Sequence, residues 1–168
     1  TLDLGLLFLR LALAGWLILE SVGTLFNLGG GTGIAGLDSA FSAYSAGGVL
    51  AVALPILQLA AGLFLLFGLF TPPFAALATV VTGFSALHFL ASAGVGADVF
   101  AWPDSSWLAV LLLVMSLTLQ FTGPGLYSLD YNRSWTRRPL WSSWGFAVAA
   151  LLLLAAVWWL GTGINPLI

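Results

Sequence analysis

The apolar run LAVLLLVMSLTLQ, which begins at Leu108, is followed by a cluster of arginines and limits the possible folds of this chain more than any other segment. A helix of this composition is suited to the hydrocarbon of a bilayer, and basic residues beside a span are retained on the cytoplasmic side. The cluster consists of Arg133, Arg137 and Arg138, three of the four basic residues in the chain. The segment therefore predicts a membrane span that ends in the cytoplasm. Because successive spans cross the membrane in alternating directions, it also sets the orientation of the other spans.

The composition of the whole chain agrees with a membrane protein. Hydrophobic residues make up 61% and charged residues 6%, with a mean hydropathy of +1.10, whereas about a quarter of the residues of soluble domains are charged. A span takes about 20 residues, so four or five spans nearly fill the 168 residues and leave no room for a soluble catalytic domain. Four arginines and no lysine exclude a nucleic-acid surface.

Five spans are predicted, which makes the chain an all-α integral membrane protein with a four-helix transmembrane bundle and a fifth transmembrane helix. They cover residues 4–26, 48–70, 74–93, 107–121 and 144–160. The Gly-rich segment 27–47 contains one short helix around 38–44, and the prolines at 72 and 73 break the chain before the third span. Alternation from the arginine cluster places the N-terminus and the loop 123–142 in the cytoplasm and the C-terminus outside.

A few polar side chains fall inside the predicted spans, where an ionisable group costs several kcal/mol unless it is paired or hydrated. They are Arg10, Glu20, Gln58, His88 and Gln120. Glu20 and His88 lie at similar depths, about 9 Å from the outer ends of their spans, so we expect them to converge. A carboxylate beside an imidazole suits a proton relay or hydrogen bonding to a quinone, and a purely structural hydrogen bond remains the alternative.

We interpret the other polar residues inside the spans mainly as structural. Arg10 and Gln120 are both placed toward the inner side, where we expect them to form a structural clasp that lowers the cost of burying the guanidinium. Gln58 lies near mid-bilayer in the second span. With one histidine, one methionine and no cysteine, the chain cannot supply two axial haem ligands or a tetrahedral zinc shell, so we expect no metal site and no covalently bound cofactor. A quinone or a lipid is the ligand to consider, and a haem with a single protein ligand stays an open alternative.

The fifth span, WGFAVAALLLLAAVWWL, has no other polar side chain besides its tryptophans. Trp144, Trp158 and Trp159 are therefore expected to dock on a partner membrane protein through packing.

Several motifs together resemble the DoxX family of small bacterial membrane proteins. They are LLFLRLALAGWLI around Arg10, LQLAAGLFLLFGLFTPPFAALAT across the second and third spans, His88, and the exit FTGPGLYSLD after the fourth span. The resemblance covers residues 4–130 and implies a DoxX-like four-helix domain over 1–130. Residues 131–168 then add a basic cytoplasmic loop and the fifth transmembrane helix.

The resemblance implies redox partners. The DoxD relative is a subunit of a thiosulfate:quinone oxidoreductase, and other members are similar to partners of redox-defence proteins. The family often has a Lys where this chain has Thr24 and a Glu where it has Gln58. Both differences remove a charged side chain from the site. They favour a protein whose role is to bind partners through its surface.

We therefore expect an accessory subunit of a respiratory or quinone-linked oxidoreductase assembly in the bacterial inner membrane, bound to other membrane subunits and to lipids. The alternative is a self-contained quinone-reactive oxidoreductase, like the thiosulfate:quinone enzyme, in which Glu20 and His88 handle protons. A small-solute permease is a third possibility, which a lack of uptake into liposomes would exclude.

Overall fold

The computed structural model of the chain describes residues 2–27, 33–42, 47–68, 71–93, 98–122 and 140–161, and in these ranges all regular structure is helical. A short 3₁₀ helix, Val99–Ala101, lies just before the α-helix that begins at Asp104. The α-helices are α1 (Leu2–Leu25), α2 (Gly33–Ala40), α3 (Gly47–Phe67), α4 (Thr71–Ala93), α5 (Asp104–Thr122) and α6 (Leu140–Gly161).

Four of these helices, α1, α3, α4 and α5, are long and apolar enough to cross a membrane. The fifth predicted span corresponds to a shorter apolar stretch, Trp144–Leu160, within α6. The prediction of an all-helical, multi-pass membrane protein is thus confirmed. The arginine cluster, the FTGPGLYSLD exit beyond Thr122 and the loop 123–139 lie outside the described residues, so the orientation of the chain stays a prediction.

The four long helices form a closed ring in which α1 contacts α3, α3 contacts α4, α4 contacts α5, and α5 returns to α1. The contact between α1 and α5 is the sparsest of the four. The ring encloses an apolar core to which all four helices contribute. Its buried members are Leu13, Ala14, Leu17, Ala61, Leu65, Ala75, Ala78, Leu112 and Leu119.

Helices α1 and α3 approach each other closely at Gly62. A Cβ atom at this position would lie 2.8 Å from the Cγ1 atom of Ile18 and 3.2 Å from its backbone nitrogen. Small residues at such crossings allow the backbones of membrane helices to pack closely, which provides van der Waals energy where the hydrophobic effect provides little. Gly62 therefore fixes the distance between the two helices that carry Glu20 and Gln58.

Helix α6 lies outside the ring and packs on α4 and α5. Its buried residues are spaced by three or four positions, which places them on one face. They are Ala147, Ala150, Leu154 and Trp158. Leu154 sits over Gly83, and the ring centroid of Trp158 lies 5.2 Å from that of Phe84.

The packing of α6 buries one of the three tryptophans that were expected to dock on a partner and leaves the other two exposed. Trp158 is only 2% exposed and packs inside the chain, so it is unavailable to a partner. Trp144 and Trp159 are exposed and remain candidates for that role.

Two local predictions differ from the structure. The short helix expected around 38–44 is α2, which ends at Ala40 and begins at Gly33, a glycine with a φ of +68° that suits this start. The break expected at the two prolines lies earlier, because α4 already begins at Thr71 and Gly68, also at +68°, turns the chain. Prolines are tolerated in the first turn of a helix because the N–H groups there have no acceptor within the helix, so a residue without an N–H loses no hydrogen bond.

Candidate functional site

A cavity of about 280 Å³ lies between the four helices of the ring, on the side toward the C-terminal end of α1. We call it the four-span pocket because each long helix contributes to its wall. Its lining residues are Trp16, Leu17 and Glu20 of α1, Gln58 of α3, Val81, Thr82, Ser85 and Phe89 of α4, and Ser105, Leu108, Ala109 and Leu112 of α5.

The pocket has a buried floor and an open side. Leu17 and Leu112, which belong to the core of the ring, form part of the floor. The exposed lining residues come in pairs from two helices, with Trp16 (41% exposed) beside Glu20 on α1 and Leu108 (38% exposed) beside Ser105 on α5. Since α1 and α5 also have the sparsest contact in the ring, we infer that the pocket opens between these two helices. We call this opening the mouth.

The polar side of the pocket is a hydrogen-bonded group that links α1 to α3. The Glu20 carboxyl accepts hydrogen bonds from the side chains of Gln58 and Trp16. The Gln58 Nε2 also donates to the backbone carbonyl of Leu17 at 3.4 Å. Gln58 is buried, and a buried amide is costly unless it is hydrogen-bonded. This network therefore holds both a carboxyl and an amide at defined positions in an otherwise apolar wall.

Hydroxyl groups on α4 and α5 complete the polar lining. Thr82 Oγ1 donates to the carbonyl of Ala78 at 2.7 Å, within its own helix, so its oxygen keeps lone pairs for an incoming donor. Ser85 and Ser105 also border the cavity. Most of the remaining surface is apolar, with Phe89 as an aromatic wall.

His88 does not line this pocket. Its ring centroid lies 4.8 Å from that of Phe41, edge to face at 87°, and 5.6 Å from that of Phe89. Phe41 follows α2 and belongs to the apolar cluster that also includes Phe84 and Trp158. Glu20 lines the four-span pocket and His88 does not, so this pocket does not bring together the two side chains that were expected to converge.

Arg10 and Gln120 are both buried, on α1 and α5 respectively. They lie in the other half of the bundle from the four-span pocket, toward the N-terminal end of α1. The expected clasp between them stays a prediction. Within the described ranges, no three acidic or histidine side chains come together as a metal ion would require.

The sequence profile of the DoxX family matches residues 5–91, just over half of the chain. The chain belongs to the DoxX family. No match to this chain was found among the curated proteins or among the solved structures. DoxX proteins are membrane-associated and linked to quinone- and oxidoreductase-related functions. The match contains Arg10, Glu20, Gln58 and His88 and ends within α4, so the proposed domain boundary at residue 130 stays a prediction.

Three pocket residues of this DoxX protein, Trp16, Ser85 and Ser105, carry signals that the sequence prediction did not use. Trp16 precedes Glu20 by four positions, so the two share one face of a helix. Ser85 and Phe89 have the same spacing and face the pocket together. Ser105 was assigned to the loop 94–106, whereas α5 already begins at Asp104 and brings this hydroxyl into the lining.

Proposed function

We propose that this DoxX protein is a membrane-embedded subunit of a respiratory or quinone-linked oxidoreductase assembly, and that its four-span pocket binds a quinone head group. The observation that carries the proposal is the combination of an apolar cavity, one polar side formed by Glu20 and Gln58, and a mouth between α1 and α5. Binding sites for small molecules are typically concave and apolar, with a few polar groups that fix orientation.

The shape of a quinone matches this arrangement. Its planar ring carries two oxygen atoms, and a long apolar tail extends from the ring. Phe89 and the Trp16 indole offer aromatic surfaces for the ring, while Glu20 and Gln58 lie within reach of an oxygen substituent. The tail leaves through the mouth, where the exposed Leu108 continues the apolar surface of the bundle.

The position of His88 favours an accessory subunit over a self-contained enzyme. Quinone reduction takes up two electrons and two protons, and the alternative function assigned proton handling to Glu20 and His88 together. Among the described residues that line the pocket, Glu20 is the one titratable group, because His88 packs against Phe41 instead. A subunit that supplies the quinone site while a partner supplies electrons needs no such pair. Trp144 and Trp159 on the exposed face of α6 are the candidates for contact with that partner.

Photoaffinity labelling tests the quinone site. The full chain in lipid nanodiscs is irradiated with a photoreactive quinone that carries a decyl tail, and labelled peptides are identified by mass spectrometry. We expect label at residues 16–20 and 105–112, suppressed by an excess of unlabelled quinone. Label spread over outward-facing positions such as Leu152, which is exposed on α6, would contradict a specific site.

Native purification tests the assembly. The protein is extracted from its own membranes in a mild detergent, and the complex is identified by mass spectrometry. We expect oxidoreductase subunits to co-purify, and we expect Trp159→Ala to reduce their recovery while the isolated chain remains folded. A chain that migrates alone would argue against the accessory function and leave the quinone site to be judged by the labelling.

A further inference from the structure

The mouth of the four-span pocket changes from polar to apolar along the axis of the bundle. Glu20 lies near the C-terminal end of α1, and Ser105 directly follows the first residue of α5, so both belong to the same end of the bundle. Both side chains are exposed. Trp16 and Leu108 lie about one helical turn further from that end on the same two helices. The polar part of the mouth is therefore the part closer to the membrane surface.

The pocket is closed in the opposite direction by a layer of packed side chains. Leu17 and Leu112 form part of the floor, and beyond them each of the four long helices contributes residues that are 0% exposed. We call these residues the closed layer, and they are Leu13, Leu65, Ala78, Thr79, Ser116 and Leu119. Among the residues that the structure describes, no member of the closed layer lines the cavity.

From this asymmetry we propose that water reaches the four-span pocket from one side of the membrane only, and that a quinone bound there exchanges protons with that side through Glu20. This inference rests on the proposed function. We call this side the α2 side, because α2 connects α1 to α3 there. Reduction of a quinone to a quinol takes up two electrons and two protons. The electrons come from a redox centre of the partner subunit, and the protons are drawn from the α2 side.

The other titratable groups near this end of the bundle are less suited to this proton exchange. Among the described residues that line the pocket, Glu20 is the one titratable group. Helix α3 has no titratable side chain, and His88 of α4 lies outside the lining. Asp104 of α5 is exposed next to the mouth without lining the cavity, and Asp38 and Asp98 are exposed on the same side. Glu20 is thus the carboxyl that lies between the ligand and the water.

Cysteine accessibility tests the one-sided opening, because the chain contains no cysteine. Ser105→Cys places a thiol at the mouth, and Asp98→Cys marks the α2 side. The full chain is prepared in sealed membrane vesicles of both orientations, and reaction with an impermeant methanethiosulfonate is followed by mass spectrometry. We expect both cysteines to react in the same vesicle orientation. Reaction of Ser105→Cys from the opposite side, from both sides or from neither side overturns the inference.

Two further cysteines separate access by water from exposure to lipid. Ser116→Cys lies in the closed layer and should react at least about a hundredfold more slowly than Ser105→Cys from either side, because its modification requires local opening. Thr118→Cys alters an exposed residue of α5 whose hydroxyl bonds to its own helix, and it should not react from the α2 side. Reaction of either cysteine from the α2 side as fast as Ser105→Cys overturns the inference.

Protection by a quinone separates this inference from the proposed function. Decylbenzoquinone at about ten times its dissociation constant should slow the modification of Ser105→Cys by about tenfold, since the fraction of empty pockets falls in that proportion. The modification of Asp98→Cys should be unaffected. Without protection at Ser105→Cys the proposed function fails, whereas reaction from the wrong side combined with protection overturns the inference and leaves the proposed function standing.

Glu20→Gln tests the proton exchange. In the same vesicles the pH is set separately on the two sides, and photoaffinity labelling of residues 16–20 measures quinone binding. We expect the label yield to respond to the pH on the α2 side alone, and we expect Glu20→Gln to lose this response. Asp104→Asn, which removes an exposed carboxyl at the same end, is the matched control and should keep it. A response to the pH on the opposite side, no response, or an unchanged response in Glu20→Gln overturns the role of Glu20. The cysteine measurements decide the one-sided opening even if Glu20→Gln does not assemble.

Discussion

Gln58 and Glu20 join two membrane spans, because the amide of Gln58 on α3 donates to the carboxyl of Glu20 on α1. The same amide reaches the backbone carbonyl of Leu17, one turn before Glu20 on α1. Four residues further along α3, Gly62 brings the two backbones together. The polar side of the pocket is thus held in place by the packing of the bundle before any ligand enters.

Replacing Gln58 by Leu should destabilise the bundle modestly. Hydrogen bonds between membrane helices contribute about 0.6 kcal/mol on average and up to about 1.7 kcal/mol, and Gln58→Leu removes those to Glu20 and Leu17. Unfolding of the purified chain by titration with SDS measures the change. Thr118→Val is the control and should lie within about 0.5 kcal/mol of wild type. A Gln58→Leu variant as stable as wild type would mean that these hydrogen bonds contribute nothing to folding.

The same substitution at two glycines of the α1–α3 pair should have opposite effects. At Gly62 a methyl group meets the side chain and backbone of Ile18, so Gly62→Ala should cost about 1–3 kcal/mol through overpacking. At Gly15 a Cβ atom meets nothing within 4 Å, so Gly15→Ala should be neutral or stabilise by up to about 1 kcal/mol. Unfolding in SDS compares the two variants, and equal effects would contradict the close approach at Gly62.

The neighbouring tryptophans of α6 provide a second matched pair. Trp158 is 2% exposed and packs against Phe84, whereas Trp159 is 55% exposed. Trp158→Ala should cost about 3–5 kcal/mol, as is typical for truncation of a buried aromatic residue, and it should make α6 more susceptible to limited proteolysis. Trp159→Ala should leave both measurements near wild type. Similar losses in the two variants would show that α6 is not docked through the Trp158 face.

Truncation of His88 should leave quinone binding unchanged. His88→Ala is expected to alter the dissociation constant of decylbenzoquinone in nanodiscs by less than about threefold, because the imidazole packs against Phe41 outside the pocket. Gln58→Ala, which removes an amide of the pocket wall, is expected to weaken binding by about tenfold. A large effect of His88→Ala would restore the alternative in which Glu20 and His88 act together.

The absence of cysteine from the chain makes its membrane orientation easy to test. Single cysteines are introduced as Asp98→Cys, before α5, and as Ser134→Cys, within the arginine-rich segment. Since basic residues are retained in the cytoplasm, an impermeant maleimide should label intact spheroplasts at position 98 and should label position 134 only after permeabilisation. The reverse pattern would place the N-terminus outside.

The positions of the long helices could be predicted from the sequence, but the role of α6 could not. In a bilayer, residues that face lipid and residues that face other helices are both apolar. The uniformly apolar run in α6 therefore contained no periodicity that distinguishes the buried Leu154 and Trp158 from the exposed Leu152 and Trp159. The contact with Gly83 and Phe84 decides which face is buried, and this depends on the neighbouring helix.

The same limitation applies to the candidate site. Residue counting placed Glu20 and His88 at comparable depths, but depth along a helix says nothing about rotation around its axis. Each residue of an α-helix turns the side chain by about 100°, so Ser85 and Phe89 face the pocket while His88 points toward Phe41. Gln58 was predicted to belong to the polar group, and the structure makes it the direct partner of Glu20.

The mouth between α1 and α5 determines how a ligand arrives. A compound that enters between two membrane helices comes from the acyl-chain layer, so it searches by two-dimensional diffusion, and its solubility in water has little influence. Occupancy then depends on the mole fraction of the compound among the lipids. Membranes that contain equal amounts of a quinone but different amounts of phospholipid should therefore saturate the protein to different extents.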